Sequence, residues 1–400
     1  MRFLRCLIFL LVWKMTANGQ EFLDRLDEHL SWSTADNNIR ARLSGTFDLE
    51  FYRFEQPPPG LIDADGRGLV NPRLSLFLDA QAGSTLYFFA QARIDRHFDP
   101  TDQGAQFRLD EYALRYTPWE DGRLSIEVGK SATIFGRWVT RHLSWDNPFV
   151  TAPLVYENAL PIEDKEPPAV PFTGRRHEGK NEYLPEIWGP DYATGLTING
   201  SIMSHFDYAF RVQNSSLSAR PESWSATEIG FDHPTISARV GYRPDESWNL
   251  GFSASDGAYF RSEAEPFFPS GRDIGDYHES VIAQDISFAH GHFQFWAEFH
   301  EARFEMPRLG DGGSFGYFLE AKYKFTPQLF GAIRWNQQYF NDVSNGAGGQ
   351  VQFAPDISRL ETALTYRFTE HLQARIEYYP EFEQGRDVSH NFALQVTVRF

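Results

Sequence analysis

The chain has 400 residues, with 37 Lys and Arg against 54 Asp and Glu, and 16% of it is aromatic. A formal charge of −17 argues against a nucleic-acid binder, and 23% charged residues among so many rings argue against a disordered chain. After residue 20 no apolar run approaches the roughly 18–20 residues that a membrane helix needs, which excludes a helical membrane protein and leaves membrane β-barrels open.

The N-terminus reads as an export address. Arg2 and Arg5 precede an apolar stretch at 6–13, followed by Lys14 and the small-residue sequence Ala17-Asn18-Gly19, so residues 1–19 are expected to be a signal peptide cleaved after Gly19. The one cysteine, Cys6, falls inside it, so the mature chain would carry neither a disulfide nor a thiolate metal site. Loss of the three charges of Arg2, Arg5 and Lys14 takes the formal charge from −17 to −20. Residues 20–37 read as a short helical, periplasmic segment, because Phe22, Leu23, Leu26 and Leu30 recur at helical spacing.

From residue 38 the period is two. At 39–51, Ile39, Ala41, Leu43, Gly45, Phe47, Leu49 and Phe51 share one face, and Arg40, Arg42, Ser44, Thr46, Asp48 and Glu50 share the other. Such alternation marks a strand with one apolar and one polar face. It recurs at 74–82, 86–94, 107–116, 124–128, 192–202, 206–212, 236–242, 248–254, 282–288, 293–299, 315–325, 329–335, 360–368, 372–378 and 392–400, for sixteen strands. In the fourth, the apolar phase moves from Phe107 and Leu109 to Tyr112 and Leu114, which predicts a bulge near Asp110-Glu111. In the tenth, Ile286 and Phe288 facing outward put Gln284 outward too. Short and long links between strands alternate throughout, as in a transmembrane barrel with short turns at one rim and long loops at the other. Aromatic residues near strand ends, among them Trp119, Tyr242, Trp248, Phe288, Phe325 and Phe368, fit an interfacial girdle.

This topology over residues 38–400 resembles the sixteen-stranded bacterial outer-membrane porins. The final strand ends on Phe400 with Phe392, Leu394, Val396 and Val398 in phase, and the longest loop, 129–191, lies between strands five and six. The resemblance implies an all-β transmembrane antiparallel barrel in the outer membrane. Its channel would be water-filled and open to passive diffusion of small hydrophilic solutes. It also implies that the assembly machinery reads the strand ending at Phe400, and that the third loop folds inward to narrow the pore. Small outward residues on the first strands (Ala41, Gly45, Ala80, Ala82, Ala90 and Ala92) suit close approach of a second barrel, and porins commonly form homotrimers through that wall.

The candidate constriction is the loop segment 137–156, with Arg137, Arg141, His142, Trp145, Asp146 and Asn147; an external flap is the alternative. Strand phase turns more bases than acids inward. The candidate pore-lining residues are Arg40, Arg42, Arg93, Arg211, Arg239, Arg334, Arg359, Arg375, Glu298, Glu320 and Glu361, so a weak anion preference is expected at the wall. The competing expectation is that these charges neutralise one another across strands. Inward rings at Phe77, Tyr87, Phe89, Trp296, Phe318, Phe330 and Tyr379 would suit a saccharide-selective channel instead. A secreted soluble carbohydrate-binding β-sandwich is the remaining alternative. No enzyme is expected: His290, His292, Glu298 and His300 lack a third ligand at a diagnostic spacing, and H-E-x-x-H is absent. No cofactor and no metal are expected.

Overall fold

The computed structural model describes residues 18–55, 58–62, 64, 66–95, 106–168, 183–224 and 229–400. Of the expected leader at 1–19, residues 1–17 lie outside them, and Asn18 and Gly19 open the first helix. Sixteen antiparallel strands run β1 Ile39–Arg53, β2 Gly68–Ala82, β3 Leu86–Asp95, β4 Gln106–Tyr116, β5 Ser125–Ser131, β6 Ala193–Ile202, β7 Phe206–Gln213 and β8 Thr235–Tyr242. They continue as β9 Trp248–Ala258, β10 His278–His290, β11 Phe293–Met306, β12 Gly310–Lys324, β13 Leu329–Phe340, β14 Ile357–Arg367, β15 Leu372–Glu383 and β16 Ser389–Arg399. Each pairs with its neighbour in sequence, and β16 pairs with β1 from Phe392↔Arg53 to Arg399↔Thr46, which closes the barrel. Closure leaves the wall without an open sheet edge, the condition that a bilayer imposes on a sheet.

The two faces have opposite chemistry. On β14 the outward Leu364 is 43% exposed while Thr365, pointing inward, is 1% exposed. Aromatic pairs collect at the rim of short turns: Phe206 with Tyr242 at 4.9 Å, Trp248 with Phe288 at 4.5 Å and Tyr366 with Phe368 at 4.9 Å. The bulge in β4 falls at Asp110, because Gln91 opposes Glu111 while Ala92 opposes Leu109. Gln284 is exposed on the outer face, with Asp285 buried inside.

The alternation of link lengths is not strict. Only residues 307–309 join β11 to β12, and only 384–388 join β15 to β16. Both hairpins rise beyond the predicted strand ends, and in the first the pattern inverts there. On β11, Phe293 and Phe295 face out while Glu298 and His300 face in; higher up, Glu301 and Arg303 face out while Ala302, Phe304 and Met306 are buried. The apolar residues at this height join loop residues in one core that includes Phe135, Leu154, Leu217, Tyr259 and Phe304. The upper lumen is therefore packed, with apolar residues joining polar ones on the inner face.

At the turn rim, α1 (Asn18–His29) is followed by a short strand, Ser31–Ser33, paired with Arg40–Arg42 of β1. Phe400 exchanges backbone bonds with Gly45 at 2.9 and 3.0 Å, and Leu43 N–H donates to Leu30 at 3.0 Å. The N-terminal segment thus continues the line of the C-terminal strand along β1. A side chain at Gly45 would place its Cβ 2.6 Å from Phe400 Cζ, so this glycine makes room for the terminal ring. The helix is tied to the rim by Asp24 with His371 and Asp27 with Arg42, both at 2.8 Å.

Candidate pore constriction

The long loop leaves β5 at Ser131 and returns at Ala193. Arg211 on β7 clamps both ends: its guanidinium donates to the carbonyls of Ser131 at 2.9 Å, Ala132 at 2.7 Å and Ala193 at 2.5 Å. Arg211 is thus a structural brace at the neck of the loop and gives no free charge to the lumen.

Between these ends the loop lies against the inner wall of β11–β15. Glu298 on β11 accepts the N–H of Arg137 at 2.8 Å, the N–H of Trp138 and the Tyr156 hydroxyl at 2.6 Å, with His300 Nε2 at 3.0 Å. Gly136 has φ +69°, and an added Cβ would meet Tyr156 Oη at 2.4 Å, so only glycine allows this approach. Farther along, Arg375 donates to the carbonyls of Ser144 at 3.0 Å and Phe149 at 3.2 Å. Glu377 accepts from the Thr151 hydroxyl at 2.7 Å, and Asn336 accepts from the Leu154 N–H at 3.2 Å.

A ladder of alternating charges joins the descending and ascending limbs. Arg141 bonds Glu320 at 2.5 Å, Glu320 faces Arg334 at 3.4 Å, Arg334 bonds Glu361, Glu361 faces Arg359 at 3.1 Å, and Arg359 bonds Glu157. Arg334, Arg359, Glu320 and Glu361 are fully buried, so each charge depends on its partners to offset lost hydration. Arg334 also lies 4.3 Å over the Phe149 ring.

The predicted site residues divide accordingly. Arg334, Arg359, Arg375, Glu298, Glu320 and Glu361 hold the loop, while Arg239 forms a buried pair with Asp285 at 2.7 Å. Arg40 bonds Gln81 at 3.1 Å and Arg42 bonds Asp27 of the helix, both at the turn rim. In the loop, Trp145 is buried under Arg399 at 4.0 Å and Arg367 at 5.0 Å, Asn147 caps its own turn by accepting from Phe149 N–H at 3.2 Å, and Asp146 is exposed. The predicted track of rings is covered by cations: Arg115 lies 5.6 Å from both Tyr87 and Phe89, Arg141 lies 4.4 Å over Trp296, and Lys322 lies 4.3 Å over Phe330.

The space left beside the loop is a cavity of about 140 Å³ against β1–β4. Its wall carries Arg73, Arg93 and Arg108; its loop side carries Trp138, His142 and Tyr192. Arg73 pairs with Asp48 at 3.1 Å and Glu50 at 2.6 Å, and Arg93 with the bulged Asp110 at 3.1 Å. Burial pushes the His142 imidazole down to about 4, so the ring is neutral near pH 7. Its Nδ1 donates to the Val139 carbonyl at 2.5 Å, which leaves Nε2 to accept from the Tyr192 hydroxyl at 2.9 Å. Replacing Asp110 with Ala would strand Arg93 and Arg108; a loss of about 3–5 kcal/mol is expected, read as a lower unfolding midpoint in urea for the membrane-embedded protein.

Sequence phase alone missed Glu111 and Arg115, because the bulge resets which residues point inward. It also missed Thr151 and Glu157 as anchors; Pro148 and Pro153 marked the turn that carries them. A G-x-S-x-G string is present at Gly312–Gly316, but it runs through β12 as ordinary strand, and the Ser314 hydroxyl donates to buried Glu186. A nucleophile elbow needs a strand-to-helix turn.

No family model and no curated protein matches the sequence. Solved structures do match. OmpF of Salmonella typhi, in complex with daunomycin, has a TM-score of 0.59 at 12% identity, over 92% of this chain and all of that one (100%). The anion-selective porin from Comamonas acidovorans gives 0.54 at 9% identity over 90% of this chain and 100% of that one. The outer-membrane channel DcaP of Acinetobacter baumannii gives 0.55 at 9% identity over 92% and 99%. By strand number, closure and these likenesses, the fold is a porin-like, sixteen-stranded transmembrane β-barrel.

Proposed function

We propose that the protein is an outer-membrane channel for passive diffusion of small hydrophilic solutes, narrowed by its third loop. The supporting observation is the loop segment 137–157, held inside a closed barrel by wall charges at Glu298, Glu320, Arg334, Arg359 and Arg375. From the loop side, Arg141 and Glu157 complete the anchoring through Glu320 and Arg359. Export through a signal peptide cleaved near Gly19 and assembly as a homotrimer belong to the same reading; crosslinking in intact membranes should give a trimer, and a monomer would end that part.

Planar-bilayer recordings of the purified protein should show discrete conductance steps, and liposomes containing it should swell in small solutes. Absence of both would overturn the reading. In a salt gradient, the reversal potential is expected to show a weak anion preference, because strand phase turns more bases than acids inward. A strong cation preference would contradict it.

A further inference from the structure

Three hydrogen-bond donors around one cavity have nothing to bond. Arg108 Nη1, Trp138 Nε1 and Trp224 Nε1 are buried without a partner, and all three belong to residues lining the cavity beside the third loop. Among the described residues that line it, no buried side-chain oxygen is left unbonded. The imbalance is one-sided: the site lacks acceptors. Buried donors without partners destabilise a fold and are uncommon unless something meets them.

Resting on the channel reading above, we propose that this cavity binds a small organic carboxylate with a flat apolar body, of which benzoate is the simplest example. A carboxylate offers several acceptor lone pairs in a plane, the geometry that a guanidinium matches best. The opposite side is aromatic, with Trp138, Tyr192, Trp224 and Phe149 on the lining, and ring walls favour a flat apolar partner. A volume of about 140 Å³ has room for on the order of ten water-sized groups, the scale of one ring with its carboxylate. Asp48 and Asp95 also line the cavity. They repel a second negative charge, which sets a single-charge limit on the ligand.

The test uses the whole barrel purified in detergent, titrated calorimetrically with benzoate, benzamide, benzylammonium and glucose. Benzoate is expected to bind saturably, benzamide more weakly, and the other two not at all. Trp138→Phe keeps the ring and removes the N–H, and should weaken benzoate about tenfold, the equivalent of one net hydrogen bond. Arg108→Gln should abolish the preference for benzoate over benzamide. If Trp138→Phe does not fold, as judged by heat-modifiable electrophoretic mobility, Trp224→Phe gives the same readout. Glucose binding as tightly as benzoate, benzoate binding unchanged in the variants, or no saturable heat would each overturn the site. Ion conductance without benzoate binding sinks the site and leaves the channel; benzoate binding without ion conductance sinks the channel and leaves the site.

Discussion

Replacing Arg334 with Ala is expected to raise single-channel conductance by roughly twofold, because a lumen filled by a loop conducts through what the loop leaves open. Arg334 is the middle rung of the buried ladder: it pairs with Glu320 and Glu361, and it also donates to the Thr151 carbonyl at 3.0 Å. Its removal leaves two glutamates facing each other without the cation between them. Unpairing buried charges of this kind costs about 3–5 kcal/mol. The cheapest relief is for the loop limb at 149–157 to move off the wall and admit water. The backbone ladder of the barrel is untouched, so heat-modifiable mobility should survive. The double variant Arg334→Met with Glu361→Gln removes the surplus charge along with the pair, and its conductance should return toward the parent value. Unchanged conductance in Arg334→Ala would show that the loop does not limit the current.

Ile376→Arg is expected to block stable insertion. Ile376 is 56% exposed on the outer face of β15, opposite Leu364 on one side and Leu394 on the other. In a soluble protein, an exposed isoleucine flanked by exposed leucines is a harmless place for a charge. On a barrel wall in lipid, the same arginine costs about 2–4 kcal/mol near the bilayer midplane. Folding into vesicles, followed by urea titration, reads the difference directly. The control is Asp207→Ala at the turn rim, whose pair with Arg243 is partly exposed at 2.7 Å and should matter by less than about 1 kcal/mol. An Ile376→Arg protein as stable as the parent would mean that this face does not meet hydrocarbon.

The barrel was legible in the sequence because alternation along a strand is a local property: Leu43 and Leu49 announce an outward face whatever the rest of the chain does. The bulge at Asp110 was legible for the same reason, since a shift of apolar phase needs only adjacent residues to be seen. The tall β11–β12 hairpin was not, because at Glu301 the surroundings of both faces change together. Water replaces lipid outside, packed loops replace the lumen inside, and the residues follow their surroundings.

Charge sign and inward direction came from the sequence; function within the lumen did not. Arg93 and Arg334 are indistinguishable by phase, yet one borders the open cavity and the other is sealed beneath the third loop. What separates them is where the loop segment 137–157 lies, set by contacts between positions more than a hundred residues apart, such as Arg141 with Glu320 and Glu157 with Arg359. Sequence alone determined a closed sheet with a polar inside. Only the tertiary structure decided which inner charges are consumed in holding the loop and which are left to meet a solute, because a charge pair is fixed by distance in space and leaves no periodic trace along the chain.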